Sequence, residues 1–118
     1  MARSGFETLE VHQKAETLAD LIWALVLTWN PFARKTVGAQ LVRAADSIAA
    51  NIAEGTGRGS TKEKKQFVRI ARDSLYETQN WLRQAYKRQL LTPEDIDQLK
   101  PLTDALPPML NAYLRSIQ

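Results

Sequence analysis

The chain has 118 residues, 44% of them hydrophobic, enough for one domain spanning residues 1–118 with a single modest core. It contains no cysteine and one histidine, which excludes disulfides, thiol catalysis and cysteine–zinc sites and argues against a histidine-built metal centre. The formal charge of +3 is unevenly spread: residues 58–88 hold nine bases and three acids, whereas residues 1–30 and residues 92–118 each hold two bases and four acids. That asymmetry matters for an anionic partner.

No apolar run reaches membrane-spanning length, and MARSGFETLE lacks the apolar centre of a signal peptide. The expectation is therefore a cytoplasmic protein with no membrane partner. Thr8 is a candidate N-cap for a first helix. Leu9, Ala15, Leu18, Ile22, Leu25 and Val26 recur there at intervals of three and four, and Val11, Leu21 and Trp23 widen the stripe. Asn30-Pro31 reads as its end, because a residue before proline is pushed out of helical geometry. Residues 30–36 then read as a connector.

A second helix follows, with Val37, Leu41, Ala44, Ala45, Ile48 and Ile52 on one face. Its alanines permit close approach of a neighbouring helix. Arg43, Ser47, Asn51 and Gly55 lie on a separate line, each four apart, and Asp46 is spaced to pair with Arg43. Gly55 and Gly57 are expected to stop the helix in left-handed geometry.

Ser60 or Thr61 caps a third helix, Ser60 having Glu63 three residues on at capping-box spacing; the helix runs to about Leu90, roughly 45 Å long at 1.5 Å per residue. Phe67, Ile70, Ala71, Ser74, Leu75, Thr78, Trp81, Leu82 and Ala85 form its core face. Thr92-Pro93-Glu94-Asp95 opens a fourth helix: cap, first-position proline, then acids at the positive end. Ile96, Leu99, Leu106, Leu110, Tyr113, Leu114 and Ile117 continue its apolar face, and Pro101, Pro107 and Pro108 predict a kink or break. With no strand alternation, the pattern predicts an all-α, antiparallel up-down four-helix bundle.

The run Gln40–Arg58, QLVRAADSIAANIAEGTGR, resembles the signature of small four-helix-bundle proteins encoded in intervening sequences of bacterial 23S rRNA genes. Gln13-Lys14-Ala15, Ser74-Leu75 with Glu77-Thr78, and Met109-Leu110-Asn111 agree in order. His12 stands where the family typically has Trp, and Ala49 where it usually has Pro. The resemblance implies a homopentamer and nucleic-acid binding. More distantly it implies a protein partner such as a reverse transcriptase, through retroelement accessory proteins. It carries no catalytic motif.

Opposite the core, the third helix lines up Lys62, Lys65, Arg69, Arg72, Arg83 and Lys87 around Tyr76, with Arg58 just ahead. Such a line can track phosphates and stack a base. It can equally be a solvated face that keeps the protein dispersed. Arg43, Asn51, Glu54 and Arg58 read either as a polar site at the end of the second helix or, with Gly55, as a structural motif in which Asn51 and Glu54 bond to the following loop and brace the junction; the brace is favoured because a glycine turn leaves backbone groups to satisfy. Gly55, Gly57 and Gly59 lack P-loop spacing and read as a turn. His12 pairs with Glu16 as a surface couple, with no nucleophile beside it. Trp23, Trp29 and Trp81 read as core or subunit-interface residues. The expectation is a non-catalytic, oligomeric protein without metal or cofactor that binds RNA or DNA, or alternatively a protein-binding scaffold.

Overall fold

The computed structural model describes residues 5–118. A 3-10 turn, Gly5–Thr8, leads into α1 (Glu10–Leu27). Next come α2 (Pro31–Ala33), a π-helical segment (Arg34–Gly38) and α3 (Ala39–Thr56), with no turn between them, then α4 (Thr61–Lys87) and α5 (Pro93–Ser116). The four long helices pack in a ring, α1 on α3, α3 on α4, α4 on α5 and α5 on α1. Short connections make successive helices antiparallel, and the bundle measures 44 × 29 × 22 Å. Thr61, opening α4, donates its hydroxyl to the Gln118 carbonyl and so joins the start of α4 to the end of α5. No described helix is long and apolar enough to cross a membrane.

The core follows the expected faces with local exceptions. All six expected residues of the second helix are buried, as are Ala15, Leu18, Ile22 and Val26 of α1. On α4 the buried set is Val68, Ala71, Ser74, Leu75, Thr78 and Ala85. Val68 was not on the expected face; Phe67, Trp81 and Leu82 are only half-buried, and Ile70 is exposed. Trp23 does not widen the α1 core but stands 56% exposed. His12 is not a surface residue: it is 3% exposed, its ring packs against Phe6, and its Nδ1 lies 3.6 Å from Glu16.

Several helix ends depart from the sequence reading. Thr8 does not cap α1; that position belongs to Leu9, with no side-chain bond. Residues 30–36 are not a connector. Asn30 caps α2 by accepting from the Ala33 amide at 2.9 Å, and Pro31 takes the first helical position. The π segment carries this helix past α1 at Gly38, where a Cβ would meet Val26 at 2.6 Å. Gly55 does not end α3 but lies within it, and Gly57 caps it in right-handed geometry at φ −87°. α4 ends at Lys87 in a Schellman motif. Leu90 donates its amide to the Ala85 carbonyl and Gln89 to Tyr86, with Gln89 left-handed at φ 61°.

α5 is unbroken from Pro93 to Ser116 despite its prolines. Thr92 and Asp95 form a reciprocal capping box at its start. Pro107 has no amide proton for the Thr103 carbonyl one turn earlier, and the Gln79 side chain on α4 donates to that carbonyl instead, at 3.3 Å. Pro101 and Pro108 face water, where the carbonyls they leave free can be hydrated.

Candidate nucleic-acid interface on α4

Ser60 starts α4 cleanly. The Glu63 amide donates to its hydroxyl at 3.1 Å, and that hydroxyl donates to the Glu63 carboxylate at 3.0 Å. From this start the 27-residue helix runs with one face inside the bundle and the other outside. Lys62, Arg69, Tyr76, Arg83 and Lys87 are exposed on the outer face and Lys65 is half-buried. None of the five bases takes part in an ion pair among the described residues. From Lys62 to Lys87 the line is about 38 Å long at 1.5 Å per residue.

Two residues expected on this line are held by the fold. Arg72 is half-buried and its Nη1 donates to Asn111 Oδ1 of α5 at 3.1 Å. Arg58 lies with its guanidinium carbon 4.6 Å from the centre of the Phe67 ring and pairs with Glu54 one turn back on α3. A guanidinium stacked and paired in this way is less available to a phosphate than a free one.

The second constellation is a packing seam. Ser47 Oγ and Ser74 Oγ are 2.9 Å apart across α3 and α4. Asn51 donates its side-chain amide to the Ser47 carbonyl at 2.7 Å and to Ser47 Oγ at 2.9 Å, and Thr78 donates to the Ser74 carbonyl at 2.8 Å. Further along, a Cβ on Gly55 would lie 3.0 Å from Phe67 Cβ. Residues 47 with 74 and 55 with 67 are thus facing pairs in an antiparallel register. Asn51 bonds within its own helix instead of to the following loop, and Glu54 braces the junction through Arg58. Arg43 is exposed, and Asp46 makes no ion pair with it.

Ionisation shifts lie elsewhere. Burial raises the Asp46 carboxyl above its usual value, with Asp20 of α1 adding to the effect, and burial raises the Tyr113 hydroxyl. No group of three or more His, Cys, Asp or Glu is placed to hold a metal among the described residues. The sequence reading missed Tyr86, 61% exposed, which with Arg83 borders a shallow α4–α5 groove of about 300 Å³. Its signal was available: one turn from Arg83, it lies off the core face.

The sequence profile described as "23S rRNA-intervening sequence protein" matches residues 7–112, nearly the whole bundle. The chain belongs to the 23S rRNA-intervening sequence protein family. A similar solved structure is that of a protein of unknown function from the S23 ribosomal protein family of Bacteroides thetaiotaomicron. It is 22% identical, covers 90% of this chain and 99% of that one, and superposes with a TM-score of 0.78. At that identity the likeness bears on fold alone. No curated protein matches the sequence. Family and fold are thereby assigned, and the α4 face must be read from its own chemistry.

Proposed function

We propose that this protein is non-catalytic, oligomeric and cytoplasmic and binds RNA or DNA along the outer face of α4. Lys62, Lys65, Arg69, Arg83 and Lys87 contact phosphates and Tyr76 stacks on a base. The observation that carries this reading is five unpaired bases on one helical face, with an exposed aromatic among them. Asp73, exposed one turn from Arg69, is the acid at the edge of this face, so the bases remain in five-to-one excess there; ordinary solubility requires charge, but not that imbalance.

Binding of a single-stranded RNA and a duplex DNA, titrated from about 50 to 200 mM salt, tests it. Each phosphate contact contributes a log–log slope of about −0.9 on duplex and about −0.7 on single strands. The expected slope is steep and is reduced in an Arg69→Glu, Arg83→Glu variant. Affinity that is flat with salt removes the reading.

Trp23 and Leu27, one turn apart on α1 and 56% and 57% exposed, support association of copies. The pentamer implied by the family likeness is measured by light scattering. The same apolar pair favours the second reading, a scaffold for a protein such as a reverse transcriptase. In that case the glutamate variant keeps its protein partner and the wild type captures no nucleic acid.

A further inference from the structure

At one end of the bundle, the beginning of the α2–α3 helix meets the capping turn of α4. Phe32, Ala33 and Val37 on one side and Leu90 and Arg88 on the other wall a cleft of about 450 Å³. That volume falls in the range of small-molecule sites, roughly 300–1,000 Å³. Its floor is hydrocarbon: Ala33 and Val37 are buried. Phe32 borders it and is 78% exposed, the most exposed large apolar side chain among the described residues. Nothing in the bundle's own packing requires an aromatic ring in water there.

The polar groups of the cleft sort into spent and available. Asn30 uses its side-chain oxygen on the Ala33 amide at 2.9 Å. Thr36 donates its hydroxyl to the Phe32 carbonyl at 2.7 Å. Arg88 takes part in no ion pair among the described residues. Among the residues that line the cleft Arg88 is the one that carries a charge. No acid occurs between Pro31 and Ala45 or between Thr78 and Pro93, the two stretches that form the cleft, whereas Arg34, Lys35, Lys87 and Arg88 all occur there. A cation would find no counter-charge in this lining, and an uncharged oil would leave the guanidinium unused.

Thr36 and Val37 reach the cleft from the π segment, a backbone form that is uncommon and recurs at functional sites. Arg88 and Leu90 are held by the Schellman turn, whose two hydrogen bonds and left-handed Gln89 set both positions. Both walls are therefore shaped by defined backbone features and not by loose loops.

We infer that this cleft binds a small amphiphilic carboxylate, its aryl or alkyl body lying on Phe32, Val37 and Leu90 and its carboxylate on the Arg88 guanidinium. The site is separate from the α4 phosphate line and goes beyond the nucleic-acid reading. Planar carboxylates suit a guanidinium because two parallel hydrogen bonds form at once.

The test uses 2-naphthoate and its neutral counterpart 2-naphthamide as probes, read by chemical shifts of the intact protein. Naphthoate is expected to shift Phe32, Val37 and Leu90 and to bind about tenfold more tightly than naphthamide, the worth of one charge-assisted contact. Arg88→Gln is expected to abolish that preference, and Phe32→Ser to weaken both probes. Phe32 is exposed, so its replacement leaves the bundle folded by circular dichroism. Arg69→Glu, on the phosphate line, is expected to leave naphthoate binding unchanged while it weakens RNA binding, which separates the two sites. Equal binding of the two probes, or full naphthoate affinity in Arg88→Gln, overturns the inference. So does absence of binding together with a smaller assembly mass for Phe32→Ser, which would assign the cleft to contact between copies.

Discussion

On its inner side α4 presents Val68, Ala71, Leu75 and Ala85, all buried, and the two buried hydroxyl residues there are engaged: Ser74 meets Ser47, and Thr78 bonds back to Ser74. On its outer side the same helix presents Lys62, Arg69, Tyr76 and Arg83 to water, with no ion pair to any of them among the described residues. The inner face is specified by close fit, in which side chains must match in size and every polar atom needs a neighbour. The outer face is under no such demand. Any polar residue with fair helix propensity would serve the fold there, so bundle packing does not dictate the five bases.

That contrast can be broken or sharpened by substitution, starting where the effect is largest. Leu75 is fully buried on the inner face. Leu75→Ala is expected to cost about 2–5 kcal/mol in urea unfolding through lost transfer energy and the cavity left behind. A cost comparable to that of a surface substitution would mean that the inner face is loosely packed. Gly55→Ala places a methyl 3.0 Å from Phe67 Cβ, an atom too close to its own backbone to move aside. The α3–α4 spacing must open, at about 1–2 kcal/mol after allowing for alanine's better helix propensity. A gain in stability would show that the seam is not limiting.

At the end of α4 the expected change reverses. Gln89 holds a left-handed conformation, which costs an L-residue about 1–2 kcal/mol. Gln89→Gly is expected to stabilise by about 0.5–1 kcal/mol once glycine's greater unfolded freedom is counted. Differential scanning calorimetry would register this as a higher Tm. On the outer face, Arg69→Ala is expected to change stability by less than about 0.5 kcal/mol. It should also flatten the salt dependence of RNA binding by about one phosphate contact. A large loss of stability would instead make Arg69 part of the fold and end the contrast between the faces.

The smallest effect belongs to Asp46, whose carboxyl is raised by burial and by Asp20. A carboxyl raised in the folded state favours folding when protonated. That contribution is complete below the ordinary value of 3.8 and is lost as pH rises through the raised value. Asp46→Asn should therefore raise Tm slightly at neutral pH and leave it unchanged in acid. Solvent screening at this exposed position keeps the gain small. Thermal melts at the two pH values check it.

The two proline signatures show how far local reading reaches. Thr92-Pro93 was legible as a helix start because its acids and spacing complete a capping box. Asn30-Pro31 has the same chemistry, a polar cap followed by proline at the first position, yet it reads as an ending because a long apolar stripe precedes it. α1 had already stopped at Leu27, and Trp29 turns into the core. Along α5, three prolines argue locally for a break, and a side chain from another helix, Gln79, supplies a hydrogen bond that no sequence window contains. His12 likewise looks like a polar surface residue until Phe6 is packed on its ring.

The amino-acid order by itself determined the helical periods, the Ser60 and Thr92 caps, the alanine face of α3, and the sorting of charge onto α4, because each depends on residues within a turn or two of one another. Tertiary structure alone decided the rest. It withdrew Arg72 to Asn111 and Arg58 to Phe67, joined Ser47 to Ser74 across α3 and α4, and closed a cleft between Phe32 and Arg88, residues more than fifty positions apart. The physical reason is range: backbone propensity and amphipathicity are local, whereas a hydrogen-bond partner or a cavity wall is supplied by whichever helix packing brings alongside.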